Sequence, residues 1–263
     1  MKNGETKDGV IIWTIAYYTL REAMRNRILW IAAVFSLMGI GLAGFIGDVA
    51  VTENDTVEVT LLASAYRYCA VLALMVLVIS TLVREFNDKC LELYLSMTIS
   101  RLIYYIGKML GFFMAGALLS AVFGAALLLH AEVVPVIFWA ISLACELAIV
   151  ASVAVFCVMS FNQQIPASFA VALVFYLMCR AADAIVLISQ SDVVVHTTGA
   201  EFMREVIEKL VYVLPSLGRF TQTEWVAYGG DVASALPPIF AQTAIYVLLV
   251  GTATMFDFSR KNI

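Results

Sequence analysis

Long apolar runs separated by short polar stretches dominate this chain. Six of them reach the ~20 mostly apolar residues that a membrane-spanning helix needs. They are Ile28–Ile46, Ala63–Val83, Tyr104–Leu129, Val136–Phe161, Ile165–Ile188 and Leu236–Phe256. Pro135, Pro166 and Pro237 stand at the start of such runs, where a missing N–H breaks no helical hydrogen bond. The pattern predicts an all-α polytopic membrane protein with six transmembrane helices.

Three further segments have a two-faced helical pattern. In Ile11–Arg25, Ile12, Trp13, Ala16, Tyr17, Leu20, Ala23 and Met24 share one face, with Thr14, Arg21, Glu22 and Arg25 opposite. Such a helix lies in the membrane interface; the competing reading is a solvated start to the first span. In Arg84–Met97, Phe86, Cys90, Leu93 and Met97 form a stripe, while Arg84, Glu85, Asp88 and Glu92 face away. Glu85 and Lys89 have the spacing of an i,i+4 pair. This segment predicts a short helix with one face on the spans and the other toward water or a partner. In Gly199–Leu214, Phe202, Met203, Val206, Ile207, Leu210 and Leu214 line one side and Glu201, Arg204, Glu205, Glu208 and Lys209 the other, before Pro215. The expected organisation is therefore an N-terminal region 1–27 and a transmembrane domain 28–263. That domain carries a charged loop at 84–103 and an external segment at 189–235.

Composition strengthens the membrane reading. Of 263 residues, 62% are hydrophobic and 14% charged, against about 25% charged in a typical soluble domain. The net charge of -4, with no basic stretch interleaved with aromatics, gives no sign of nucleic-acid binding. Cys69, Cys90, Cys145, Cys157 and Cys179 mostly fall in apolar runs without a CxxC pair, so they read as small buried hydrophobes. The polar N-terminal stretch has no apolar signal-peptide core.

Charge also gives the spans a direction. With the N-terminus inside, the inner segments hold eleven of the 16 Lys and Arg residues, including Arg21, Arg25, Arg27, Arg84, Lys89, Arg101 and Lys108. The outer segments hold only Arg204, Lys209 and Arg219. The positive-inside rule then places both termini in the cytoplasm.

Chemistry is sparse. The sole Gly-Lys, Gly107-Lys108, is followed by Met109 and lacks the GxxxxGK[ST] frame of a phosphate-cradling loop. If ATP drives this chain, a separate polypeptide binds it, and no cofactor is expected here. His130 and His196 are far apart, so no metal site is expected, and no nucleophile–base pair suggests catalysis. Glu146, Arg180 and Asp183 are different, because each lies inside a predicted span, where a charge costs ~2.5–3.5 kcal/mol or more. Glu146 and Arg180 fall at similar depth on adjacent antiparallel spans, which predicts an ion pair, with Asp183 placed to share the Arg. The pair reads either as a structural clamp or as a polar lining or moving joint.

Residues Arg84–Gly111 carry a family resemblance. They resemble the cytoplasmic loop of permeases of type-2 family ABC exporters. Glu85 matches the first acid of that loop, Glu92-Leu93 its leucine-rich region, Ile99-Ser100-Arg101 its I-S-R step and Gly107-Lys108 its G-K. Thr98 stands where the family has proline, and Asn87 where it has a second acid. Leu214–Phe220 is similar to an external L-P-x-L-x-x-F in permeases associated with nitrous-oxide reductase maturation. The resemblance implies a half-transporter in a bacterial or archaeal cytoplasmic membrane. Two permease copies would be driven by separate cytoplasmic ATPase subunits, with a possible periplasmic partner. It also implies that 1–27 holds an elbow helix, and that the loop helix is the coupling helix, with Arg84, Glu85, Asp88, Lys89, Glu92 and Arg101 docking the ATPase. The alternative is a non-transporting membrane scaffold or sensor.

Overall fold

The computed structural model describes residues 2–27, 30–32, 34–39, 41, 54–88, 100–161, 164–190, 214–229 and 233–260. Every regular element among them is helical. In chain order these are α1 (Lys2–Arg25), α2 (Trp30–Gly39), α3 (Asn54–Asn87), α4 (Arg101–Leu127), α5 (Val133–Ser160) and α6 (Ile165–Gln190). A 3-10 turn at Leu217–Arg219, the short α7 (Glu224–Tyr228), a 3-10 turn at Ala233–Ala235 and α8 (Leu236–Arg260) complete the chain. Five helices are long and apolar enough to cross a membrane: α3, α4, α5, α6 and α8. They fit a membrane-embedded protein. About half of the first expected span, Ile28–Ile46, lies outside the described residues, and α2 is the helix within the rest. Lys89, Glu92, His196 and residues 199–213 also lie outside them.

α5 is the axis of the bundle. Its apolar window is 78% buried, against 11% for α8. Every residue from Ile149 to Val155 is buried along it, so neighbours cover it on more than one side. α3 presents Tyr66, Ala70 and Leu74 to this core, and α4 presents Phe112, Ala115, Leu119 and Phe123. The Tyr66 and Phe123 rings lie 5.3 Å apart, and the Tyr66 hydroxyl donates to the Ser36 carbonyl at 2.9 Å, tying α2 to α3. Phe240, Ile245, Leu248, Leu249 and Phe256 leave α8 largely exposed. In lipid such exposure is cheap, and helix association rests on close packing and hydrogen bonds instead.

α1 shows that rule directly. It packs on α4 at Gly107 and Gly111. A Cβ on Gly111 would lie 2.6 Å from the Thr19 Cβ, and one on Gly107 would lie 2.8 Å from the Ile15 Cβ. Ala16, Thr19 and Ala23 are the residues of α1 that become buried. Of the expected apolar face, Ala16 and Ala23 pack on the bundle, while Trp13, Tyr17 and Met24 are exposed. The close approach of two backbones selects small side chains and turns the large ones outward.

Of the expected helix Arg84–Met97, residues 89–97 lie outside the described residues; Arg84–Asn87 continue α3 without a break, and the Asp88 N–H closes the last turn by donating to the Arg84 carbonyl at 2.9 Å. No Gly or Pro interrupts this stretch, so nothing stops the helix at the end of its apolar run.

Candidate functional site

Two polar clusters stand out, one at mid-bundle and one at the end that holds Arg84. The first centres on Glu146, which is fully buried near the midpoint of α5. At a rise of about 1.5 Å per residue it is ~20 Å from either end of that helix. An ionised carboxylate there needs several donors. It has two: Tyr176 Oη donates to Glu146 Oε1 at 2.9 Å, and Thr221 Oγ1 donates to Glu146 Oε2 at 2.6 Å.

Thr221 reaches this depth because the chain folds back into the bundle. Pro215, Leu217, Phe220, Trp225 and Val226 are all buried. The 3-10 turn packs on α6, and α7 packs on α3 and α5. A non-helical segment at such depth leaves carbonyls without partners, which is tolerable only where protein supplies donors. Two arginines supply them. Arg180 on α6 donates to the carbonyls of Leu217 and of Phe220, the latter at 2.9 Å. Arg67 on α3 donates to the Thr221 carbonyl at 3.1 Å. The Arg67 guanidinium also lies 4.7 Å from the centroid of the Tyr68 ring, whose edge meets Tyr176 at 6.4 Å.

Thr221 is the keystone of the segment. Its φ of 44° lies in the left-handed region, where a β-branched residue is strained. Its N–H donates to Ser142 Oγ at 3.0 Å, its hydroxyl binds Glu146 and its carbonyl binds Arg67. Three hydrogen bonds hold one unfavourable backbone conformation, as expected where surrounding structure over-determines a residue.

The predicted Glu146–Arg180 ion pair therefore does not form. Both residues enter the same cluster, but each binds the folded-back segment rather than the other. The segment offers carbonyls to the cation and a hydroxyl to the anion, so each charge is met without direct contact. Asp183 lies on α6 one turn beyond Arg180. Of the expected external segment 189–235, residues 214–229 sit among α3, α5 and α6. Sequence reading missed Tyr176, Ser142 and Thr221 and gave Arg67 no role. Arg67 alone carried a signal, being a charge inside an apolar run.

The second cluster closes the end of the bundle where α3 finishes and α4 begins. Glu85 pairs with Lys108, and accepts from Tyr104 Oη at 2.6 Å. Both partners come from α4. Glu85 is thus turned inward, not away from the apolar stripe as its pattern predicts. Its expected i,i+4 partner Lys89 lies outside the described residues. Lys108, buried at the position of the Gly-Lys, is one half of a clamp between helices. Arg84 and Asp88 are exposed beside it. Arg101 opens α4, whose N-cap Ser100 accepts from the Ile103 N–H at 3.3 Å. On α1, burial raises the Glu22 carboxyl pKa above its ordinary value of 4.5; Glu85 adds to the shift, while Lys108 and Arg84 oppose it.

In the first cluster Tyr176 and Thr221 both donate to the acid. Among the described residues no group of three His, Cys, Asp or Glu side chains is placed to hold a metal ion. What the arrangements can do is mechanical: one anchors a folded-back segment, and the other locks two helix ends together. No protein-family model matches the sequence, and no curated protein matches it.

Proposed function

We propose that this chain is the membrane-spanning permease subunit of an ATP-binding-cassette transporter. Two copies form a pathway or a force-transmitting dimer, and separate cytoplasmic ATPase subunits drive it. In this reading the chain crosses the membrane six times, with α2 inside the first span. Both termini are cytoplasmic, α1 is the elbow helix and residues 88–100 carry the docking surface.

The observation that carries the proposal is the clamp of Glu85 with Lys108 and Tyr104. It joins the two helices that flank the charged connection 88–100. A push on that connection moves the ends of α3 and α4 together, because packed elements pass between discrete arrangements rather than deform. α1, seated on Gly107 and Gly111, moves with them. Arg84, Asp88 and Arg101 lie where a cytoplasmic partner would press, and Lys89 and Glu92 belong to the same connection.

The test is co-purification of the tagged full chain from its native membrane in mild detergent. A nucleotide-binding subunit is expected in roughly stoichiometric amount. Reversing Asp88 and Arg101 in charge (Asp88→Lys, Arg101→Glu) should release it while leaving the permease folded. A well-folded chain that retains no ATPase would sink the proposal and leave the scaffold reading in its place.

A further inference from the structure

A cleft of about 920 Å³ opens between the C-terminal half of α1 and the end of α3. Arg21, Arg25, Arg27 and Arg84 line it, with Glu22 as its one acid. All four arginines are exposed, and none enters an ion pair with a described residue; the pairs among those residues are Lys108–Glu85 and His130–Glu58. Among the described residues, four cations and a single carboxylate face this cleft, a strong excess of positive charge. Tyr18, Ser80 and Thr81 add hydroxyl groups to the wall.

We infer that this cleft binds the phosphate of an anionic membrane lipid. Guanidinium groups attract phosphate oxygens chiefly through their positive charge, which a Lys ammonium also supplies as a point charge. The surroundings favour a lipid over a soluble phosphate. The cleft ends at Arg27, and α2 begins three residues later with Trp30, which is 72% exposed. Ile31, Val34, Phe35 and Met38 continue that exposed apolar surface. A headgroup in the cleft thus has an acyl-chain track beside it. Trp13, Tyr17 and Tyr18, exposed on α1, are the aromatic side chains that settle at headgroup level. Clusters of four or more basic residues beside a membrane span attract anionic lipid in the same way. The inference needs only a membrane-embedded chain and stands apart from the ATPase proposal.

The test uses the purified full chain in bilayers of phosphatidylcholine with a minor fraction of spin-labelled lipid. The fraction of label immobilised by protein is compared for phosphatidylglycerol and phosphatidylcholine. Wild type should prefer phosphatidylglycerol several-fold. The triple variant Arg21→Gln, Arg25→Gln, Arg27→Gln should bring the ratio close to one, each guanidinium contributing up to about five-fold. The triple Arg→Lys variant keeps the charges that orient the chain and should keep most of the preference. Inorganic phosphate at the same concentration as the labelled lipid should not displace it. The inference is overturned by a wild-type ratio of one, by equal loss in the Gln and Lys variants, by full preference in the Gln variant, or by displacement with inorganic phosphate.

Discussion

Replacing Tyr176 with Phe removes one of two hydrogen bonds to the buried Glu146 while keeping the ring. Tyr176 is 2% exposed, so water cannot take over the lost bond. A hydrogen bond to a charged group contributes about 1.5–3 kcal/mol, and that is the expected loss for Tyr176→Phe in the native chain. In a Glu146→Leu background the acceptor is already gone and the tyrosine hydroxyl is an orphan. Removing it there should cost nothing or stabilise slightly. The double-mutant cycle should therefore show a coupling of at least ~1.5 kcal/mol. For a chain of this size about 1 kcal/mol corresponds to roughly 2–4 °C in Tm, so Tyr176→Phe should lower Tm by about 3–12 °C in the native chain only. A thiol-reactive dye can follow unfolding in detergent, because Cys145, Cys157 and Cys179 are free and buried. If Tyr176→Phe costs the same in both backgrounds to within about 0.5 kcal/mol, the network does not hold Glu146 as described.

Other outcomes follow from the same contacts. Arg67→Met and Arg180→Met should each strand segment carbonyls and cost at least ~1–3 kcal/mol, whereas exposed Arg219→Met should stay within about 0.5 kcal/mol; equal Tm values for all three would contradict the assigned roles. Gly111→Val drives a side chain into Thr19 and should loosen α1 at a cost of about 1–3 kcal/mol, read as faster tryptic cleavage at Arg21 and Arg25; unchanged cleavage would count against the packing. Lys108→Met leaves the Glu85 carboxylate unpaired and should cost up to ~3–5 kcal/mol; the swap Glu85→Lys with Lys108→Glu should restore most of the lost Tm. Glu22 has its pKa raised in the folded state, so the fold binds more protons there than the unfolded chain. Its contribution is full below the ordinary value of 4.5 and falls as pH rises through the folded value. Glu22→Gln should remove that part of the slope in a Tm-against-pH series, and an unaltered slope would refute the assignment.

The spans were legible because lipid imposes a length and a hydropathy that a sequence displays openly. Ala63–Val83 lies within α3, and Val136–Phe161 nearly coincides with α5. Boundaries were less legible, since a helix stops at a breaker rather than where the apolar run stops, and Asn87 is preceded by none. The two-faced pattern of α1 was legible, but the neighbour it meets was not, because its seat is the bare backbone of Gly107 and Gly111 beneath Ile15 and Thr19. Glu146 and Arg180 announced themselves by their cost. Their partners did not, because carbonyls carry no sequence signal and a left-handed threonine looks like any other. The deep placement of residues 214–229 was hidden in the same way, by polar letters such as Gln222 and Thr223 that suggested a surface loop.

The seat of α1 on α4 sets an order of events during synthesis. Ile15 emerges early but meets Gly107 only after the intervening chain has been made. At about 5–20 residues per second, α1 waits roughly 5–20 s for its partner. Meanwhile the face of α1 that carries Ala16 and Thr19 lacks the helix that later covers it. α1 is thus made well before the helix that locks it, so a defect in α4 should release a helix built tens of residues earlier.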